Sequence, residues 1–373
     1  MRVVHLSTIH RAQDIRIFYK ECVTLAKAGY EVHLLVSHPP AHQLEGVFFH
    51  AIERVTNYPR LERIWRRLSS AYHLAASLQA EIYHFHDPEL IPVGILLQRL
   101  GAKVIYDVHE DTPWEAISLS KNNPVMGWSK FGIWSVLEAI AQATLDGFVC
   151  VTPKIAQKFP PTKTVLVRNF PLTAELQAAV AINTAEDIKA NNIIYAGGIT
   201  AIRAIREMVS AIALLPETLA SKLLLLGEFS PITLKTEVEQ FPGWQNVKSL
   251  GWQSRDHLVQ YLAQARVGLV IFHPERDHLE ALPNKLFEYM AAGLPIVASD
   301  FPLWREIIEG VGCGLLVNPL DPQEIAKAIQ YLLENPEVSA AMGRRGQEAV
   351  RTQYNWEIES QKLLDFYHKI YQQ

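Results

Sequence analysis

Short apolar runs alternate along this chain with longer segments in which apolar residues recur every three or four positions. Arg2–Leu6, Glu31–Val36, Val47–Ala51, Ile82–His86, Val104–Asp107, Gly147–Val151 and Thr164–Arg168 have the length and β-rich content of strands, and Ile15–Ala28 has the spacing of a helix. Strand and helix in alternation predict a parallel sheet with helices on both faces. The polar, alanine-rich stretch Thr173–Asn191 shows no strand pattern and reads as a linker. Beyond it the alternation resumes with runs at Ile193, Lys222–Leu226, Val247–Trp252, Val267–Phe272, Pro295–Ala298 and Gly314–Val317, then helices from Pro322 onward and a final helix Trp356–Tyr371. The expected fold class is α/β, two Rossmann-like doubly wound domains, residues 1–171 and 172–355.

Ligands of such sheets gather beyond the carboxyl ends of the strands. The densest polar stretch in such a place runs from Ile271 to Asp300. After the apolar run ending at Phe272, polar residues lead to Pro283, which is expected at the first position of a helix that Gly293 closes. Asn284, Lys285 and Leu286 then form its first turn. A helix start carries unpaired N–H donors and partial positive charge, so it seats a phosphate, and Lys285 adds a full charge. The spacing puts Asn284, Lys285 and Glu288 on one face while Phe287, Met290 and Ala291 turn toward the sheet. Glu280 and Glu288 bracket the turn with two carboxylates that accept hydrogen bonds from hydroxyls. Phosphate flanked by hydroxyls describes a nucleotide sugar.

These residues carry a resemblance. Glu280-x7-Glu288 followed by Tyr289-Met-Ala-Ala-Gly-Leu-Pro-Ile-Val-Ala-Ser299 is similar to the signature of retaining glycosyltransferases of the GT-B fold, family 4. The resemblance implies that Glu280 meets the donor sugar, Glu288 the ribose, and the backbone of Asn284 to Leu286 the diphosphate. It also implies that the two domains face a central cleft and that the helix 356–373 packs back on the first domain. The family's Gly-Phe-Gly after the first glutamate is replaced here by Ala281-Leu-Pro-Asn-Lys285. Gly197 and Gly198 end another apolar run and let a charged ligand approach the backbone. There the family usually has Gly-Arg with a lysine further on; here Gly198 replaces the arginine and Arg203 matches the lysine. Leu250, Gly251 and Trp252 match the loop that reads the base, with Trp252 stacking on it or only packing. In the first domain, His84-Phe-His86-Asp87-Pro-Glu89 and Asp107-Val-His109-Glu110-Asp111 fall at expected strand ends. His109 resembles the family histidine near the reacting centre, and Asp14, Arg16 and Asp87 are expected on the acceptor side, against the alternative that strand-end groups merely cap turns.

The composition excludes several other classes. A net charge of −4 among 373 residues and a pI near 6.4 give no global attraction to nucleic acid. Three distant cysteines, Cys22, Cys150 and Cys313, support neither a disulfide framework nor a zinc cluster, which favours the cytoplasm. No window reaches about 20 clean apolar residues, so no membrane span is expected. The basic stretch Arg60–Arg67 with Trp65, and the tryptophans Trp114, Trp128 and Trp134, suit either a peripheral contact with the inner face of a membrane or an ordinary solvated face with buried rings.

The expectation is a metal-independent hexosyltransferase without a cofactor, since no Asp-x-Asp clamp occurs in the chain. It would move a hexose, glucose first, from a UDP-sugar such as UDP-glucose to a saccharide or lipid-linked acceptor in polysaccharide biosynthesis. His109, Glu280, Arg203 and Lys285 would be its catalytic residues. The resemblance implies retention by front-face attack, the departing phosphate taking the acceptor's proton. The competing readings are a sugar-nucleotide 2-epimerase of the same fold and a non-catalytic sugar-nucleotide-binding module.

Overall fold

A computed structural model describes residues 1–53, 57–118, 120, 123–172, 191–279 and 281–372. The chain divides into two units, Met1–Asn169 with Ile358–Gln373, and Phe170–Glu357. The expected linker Thr173–Asn191, apart from Asn191, lies outside the described residues.

In the first unit seven strands form one parallel sheet: β1 (Arg2–Leu6), β2 (Glu31–Val36), β3 (Val47–Ala51), β4 (Ile82–Phe85), β5 (Lys103–Val108), β6 (Gly147–Cys150) and β7 (Thr164–Leu166), in the order β3-β2-β1-β4-β5-β6-β7. The central strands are buried on both faces, as parallel sheets require. Val4, Leu6, Phe85, Tyr106 and Phe148 share one core with Ala71 and Ala75 of helix Arg60–Ser77, Ile91 of helix Ile91–Gln98, and Ala141 of helix Pro124–Thr144. Because side chains alternate along a strand, His5 points the other way from Val4 and Leu6.

On that other side lies the final helix, Trp356–Gln372. The Tyr367 hydroxyl sits 2.7 Å from His84 Nδ1 and 3.2 Å from His5 Nε2. Phe366 and Ile370 cover Gly147 so closely that a Cβ there would come within 2.8 Å of the Phe366 ring. Glu359 accepts the Arg168 amide at 2.9 Å.

The expected single α-helix Ile15–Ala28 is instead a π-helix, Ile15–Cys22, running into a short α-helix, Val23–Lys27. Asp14 begins it, its carboxylate accepting the Arg16 and Ile17 amides. The widened turn buries Arg16, Lys20 and Glu21 together with Ile17 and Phe18. Those polar groups find partners across the unit, Arg16 on Asp107 and Lys20 on Asn169.

The second unit carries β8 (Asn192–Ala196), β9 (Lys222–Leu226), β10 (Val247–Gly251), β11 (Ala265–Val270), β12 (Ile296–Ser299) and β13 (Gly314–Val317), again parallel, in the order β10-β9-β8-β11-β12-β13. In each sheet the strand order reverses direction at one place, between β1 and β4 and between β8 and β11. Such switch points open crevices beyond the strand ends.

The covering of Gly147 gives a test of how firmly the last helix is held. Phe366→Ala removes a buried ring and leaves a void, so it should destabilise the protein by about 3–5 kcal/mol, read as a lower midpoint in urea denaturation.

Candidate active site

At the switch point of the second sheet, β8 is followed by Gly197 and Gly198. Gly197 has φ +126°, and a Cβ on it would stand 3.1 Å from Lys285 Nζ. The missing side chain lets the lysine lie against the backbone. Lys285 comes from helix Asn284–Ala291, which is fixed from behind by Leu286, Phe287 and Met290 in the core. The Tyr289 hydroxyl also accepts the Ala196 amide at 2.8 Å. Pro283 does not occupy the first helical position as expected. It is the extended N-cap, and Leu286 N–H already bonds its carbonyl at 3.0 Å. The amides of Asn284 and Lys285 have no acceptor among the described residues.

Lys285 is buried, and its ammonium has no hydrogen-bond partner among the described residues. Nζ lies 3.6 Å from the centre of the Tyr195 ring. Burial first, and the nearby Arg203 second, hold its pKa well below the ordinary lysine value. Arg203 curls back so that its guanidinium donates to the Gly198 carbonyl at 3.0 Å. Two cationic side chains thus converge on the Gly197–Gly198 turn beside the amides of a helix start. That combination binds a polyanion. Arg206, by contrast, is taken by Glu237.

Glu288, expected at a ribose, is held by Arg255 at 2.5 Å. Arg255 opens helix Arg255–Gln264 directly after the Leu250–Trp252 loop, so one ion pair ties that loop's end to the phosphate-seating helix. Sequence reasoning missed it because the two residues are far apart in the chain. In the loop, the Leu250 carbonyl accepts from Gln253 and the Gly251 carbonyl from Gly227 N–H. Those oxygens are therefore partly spent, and Trp252 is largely exposed. Glu280 lies outside the described residues. Buried Trp304 donates to the Ala281 carbonyl at 2.7 Å. His273 bonds Glu207 and the Ile202 carbonyl, stitching the loop after β11 to the one after β8.

At the switch point of the first sheet, Asp107 on β5 is fully buried and grips Arg16 through two bonds of 2.9 Å. This corrects the expectation for Arg16. Its fork is consumed by Asp107, with Glu21 also at 3.1 Å, and none of it faces a ligand. Asp14 is likewise a helix cap. Burial raises the Asp107 pKa, but Arg16 and His109 outweigh it and hold the carboxylate well below its usual range. His109 Nε2 lies 2.7 Å from Asp107 Oδ2, so the ring is fixed with its other nitrogen free to turn outward.

Asp87, at the end of β4, bridges to the loop after β1. Its Oδ2 accepts from the Thr8 amide at 2.5 Å and the Ser7 hydroxyl at 3.0 Å, while Oδ1 stands 3.0 Å from His10 Nδ1. Burial raises its pKa, but the bonds from His10 and Thr8 bring it to about 2. Asp87 is 1% exposed and works as an anchor for this loop, not as a direct ligand contact.

His5, His84, His86 and Glu21 approach one another closely, as do His86, Asp107 and His109. Of these atoms, Glu21's two oxygens and His84 Nε2 lack a hydrogen-bond partner among the described residues, while the other rings bond one another. His5 Nδ1 meets His86 Nε2 at 2.9 Å, and His86 Nδ1 meets Asp107 at 3.2 Å. Burial is the largest influence on His5, His84 and His86 and lowers the pKa of each. The geometry is that of hydrogen-bonded wiring from Tyr367 to Asp107.

Two family profiles match the chain: "Glycosyl transferases group 1" over residues 182–349 and "Glycosyltransferase Family 4" over residues 16–162. The chain belongs to the group 1, family 4 glycosyltransferases. Its fold is the GT-B type. The chain is 18% identical to sucrose-phosphate synthase from Thermosynechococcus elongatus, with TM-score 0.78 over 99% of both chains. It is 13% identical to HepE from Anabaena, solved in complex with UDP-glucose, with TM-score 0.74 over 99% of this chain and 100% of that one. Among curated proteins, phosphatidyl-myo-inositol mannosyltransferase of Mycobacterium leprae (strain TN) is 34% identical over 85 residues, covering 23% of this chain and 22% of the relative. The match thus spans less than a quarter of that relative's length. The putative glycosyltransferase EpsD of Bacillus subtilis (strain 168) is 23% identical over 342 residues, 86% of this chain and 84% of that one.

The orphaned ammonium yields a prediction that separates folding from binding. Replacing Lys285 with Met keeps the packing and removes a buried polar group that lacks a partner. The ligand-free protein should gain about 1 kcal/mol or more, seen as a raised melting temperature, while binding of a nucleoside diphosphate by calorimetry weakens about 10- to 100-fold.

Proposed function

We propose that this family member transfers a hexose, glucose in the first instance, from a UDP-sugar to a hydroxyl of a saccharide or lipid-linked saccharide, with retention and without a bound metal, in polysaccharide or glycolipid assembly. The observation that carries the reading is the buried Lys285, without a hydrogen-bond partner among the described residues, beside Arg203, the Gly197–Gly198 turn and a helix start. Charge builds on the leaving diphosphate as the glycosidic bond breaks, and preorganised donors stabilise it as it grows. Lys285, Arg203 and the amides of Asn284 and Lys285 are those donors. They do the work that a metal on the diphosphate would otherwise do. Glu288, held by Arg255, takes the ribose hydroxyls, and Glu280 the sugar.

A second reading replaces UDP by GDP and glucose by mannose. It is favoured by relatives named as GDP-mannose-dependent mannosyltransferases, such as that of Mycobacterium tuberculosis (strain CDC 1551 / Oshkosh), 32% identical over 88 residues. The UDP reading is supported by HepE, solved with UDP and glucose. Melting curves with UDP, GDP and ADP decide between them, because a ligand that prefers the native state raises the melting point by mass action. The largest shift should come from UDP; a larger one from GDP selects the second reading. Labelled UDP-glucose then separates transfer from epimer formation or binding alone.

The state of Lys285 adds a pH dependence. Empty, the amine is held below its ordinary pKa by burial and Arg203. A bound diphosphate favours the charged form and raises that pKa, so binding takes up a proton. Between the two pKa values, UDP affinity should fall as pH rises, by up to about tenfold per unit. Calorimetry in buffers of different ionisation enthalpy reads the proton uptake directly; no uptake removes Lys285 from the phosphate seat.

The reading includes a peripheral membrane contact of the first unit. Among the described residues no helix is long and apolar enough to cross a membrane. Leu61 and Trp65 nevertheless stand 82% and 72% exposed on one helix, and Val125, Trp128, Ile133 and Val136 are exposed on another. Arg66 and Arg67 are already paired with Glu62 and Glu89, so the apolar groups supply the attraction. The protein should float with anionic vesicles on a density gradient, and Trp65→Ser with Trp128→Ser should abolish it.

A further inference from the structure

Three histidines and a glutamate buried in the first unit have no part in the transfer reading. His5 on β1 and His84 on β4 are register partners in the parallel sheet, and His86 follows two residues later on the same side. The three rings are buried, with centres 4.7 to 5.2 Å apart. Glu21 joins them from the π-helix Ile15–Cys22 and is fully buried as well. One ligand-type atom from each of the four residues lies within 4.8 Å of those from the other three. Turns of π-helix are rare and gather at functional positions. This one carries a carboxylate into a nest of imidazoles.

The hydrogen bonds around the group have the pattern of the outer layer of a metal site, where each ligating histidine is held at its second nitrogen. Tyr367 holds His84 Nδ1 at 2.7 Å and His5 Nε2 at 3.2 Å, and Asp107 holds His86 Nδ1 at 3.2 Å. Three nitrogens are left over. His5 Nδ1 and His86 Nε2 face each other at 2.9 Å, and His84 Nε2 has no hydrogen-bond partner among the described residues. Neither oxygen of Glu21 has one. Oε1 stands 3.1 Å from Arg16 and Oε2 3.9 Å from His84 Nδ1, but the Arg16 fork is already spent on two bonds to Asp107. A buried carboxylate without donors is costly until a proton or a cation neutralises it.

We propose that His5, His84, His86 and Glu21 bind one divalent transition-metal ion, with Zn²⁺ the best match. Three imidazole nitrogens and one carboxylate oxygen make a closed, four-coordinate set of the structural kind. A tetrahedron with bonds of about 2.0–2.1 Å sets its ligand atoms about 3.3 Å apart, so the nitrogen pair at 2.9 Å spreads slightly and the wider atoms draw in. The ion ties β1, β4 and the π-helix together and, through Tyr367, the final helix. It is distinct from the diphosphate seat, which belongs to the second unit, and the inference does not depend on the transfer reading.

The test uses the full chain without an affinity tag, loaded with zinc and then dialysed. It should retain one zinc per chain by emission spectroscopy, and cobalt in its place should show the strong visible bands of tetrahedral coordination. Tyr367→Phe, which removes an outer-layer bond, should weaken zinc binding about 10- to 100-fold, and Glu21→Gln, which removes a ligand, about 100-fold or more. Zinc in hundredfold excess over its Kd should raise the native melting temperature by about 5 °C or more, and that of Glu21→Gln hardly at all. His33 and His50, a further pair 2.8 Å apart on β2 and β3, provide the control, and His50→Gln should keep its zinc. The inference fails if the dialysed native chain holds less than about a tenth of an equivalent, if Glu21→Gln binds zinc as tightly as the native chain, or if His50→Gln loses it. Glu21 is then neutralised by a proton. Where a variant does not fold, the native chain decides alone, and cobalt bands that are weak and octahedral, or absent, overturn the site.

Discussion

A buried lysine side chain with no hydrogen-bond acceptor among the described residues is the constraint from which the second unit is best understood. Desolvating a cation costs several kcal/mol unless an anion or acceptor is supplied. Lys285 stands in that condition between Tyr195 and the Gly197 backbone. Its position is forced by the helix that carries it, which cannot turn the lysine outward without withdrawing Leu286, Phe287 and Met290 from the core. The rest of the local design follows. Gly197 has no side chain because the lysine needs its space, Arg203 folds onto Gly198, and the rings of Tyr195 and Phe272 lie 3.6 and 5.3 Å from the amine. A protein tolerates such a site when a ligand supplies the missing charge, and two phosphates joined by one bridge suit a pair of cations beside a helix start.

The first unit solves the opposite problem. There the buried carboxylates at the strand ends, Asp107 and Asp87, are held by neighbours inside the protein. Asp107 has Arg16, His86 and His109; Asp87 has Thr8, Ser7 and His10. Matched charges are not left hungry for an ionic ligand, and their effect is to fix the rings they touch. A surface of fixed imidazoles suits neutral, hydroxylated molecules, which need directed hydrogen bonds more than charge. The chemistry expected of an acceptor and of a donor is thus written in the contrast between one switch point whose ionic groups are satisfied and another whose cation is not.

Much of the fold was legible because parallel strands buried on both faces are continuous apolar runs, and helices between them show a 3.6-residue period. Strand ends moved by a residue or so, as at Ile82–Phe85 and Lys103–Val108. The π-turns of Ile15–Cys22 were not legible. Their spacing is decided by where Arg16 and Lys20 find partners, and those partners, Asp107 and Asn169, are distant in sequence. The same reason hid the fate of Arg16. A lone arginine in a polar loop reads as a ligand contact until strand order brings β5 beside its helix. On the donor side the motif Pro283 to Glu288 was legible because all its parts are local. Arg255, Trp304 and Tyr367 were not, since each acts through a partner that only the completed sheet places within reach.

His10 shows how much a single distant contact can alter the meaning of a residue. In sequence it is one histidine in Ser7-Thr-Ile-His10-Arg, with no spacing rule to distinguish it from a solvated loop residue. Strand order sets β1 beside β4, and that adjacency brings Asp87 to it. An exposed imidazole with no carboxylate behind it samples both tautomers and rotates freely. Beside the Ser7 hydroxyl at 3.1 Å and the Asp87 carboxylate at 3.0 Å, the Nδ1 edge of the ring has polar neighbours that restrict its rotation. The rule that ligands gather at the switch point therefore does more than locate a crevice. At that point, loops from strands distant in sequence exchange hydrogen bonds, so side chains that are chemically ordinary on their own acquire a defined tautomer and direction.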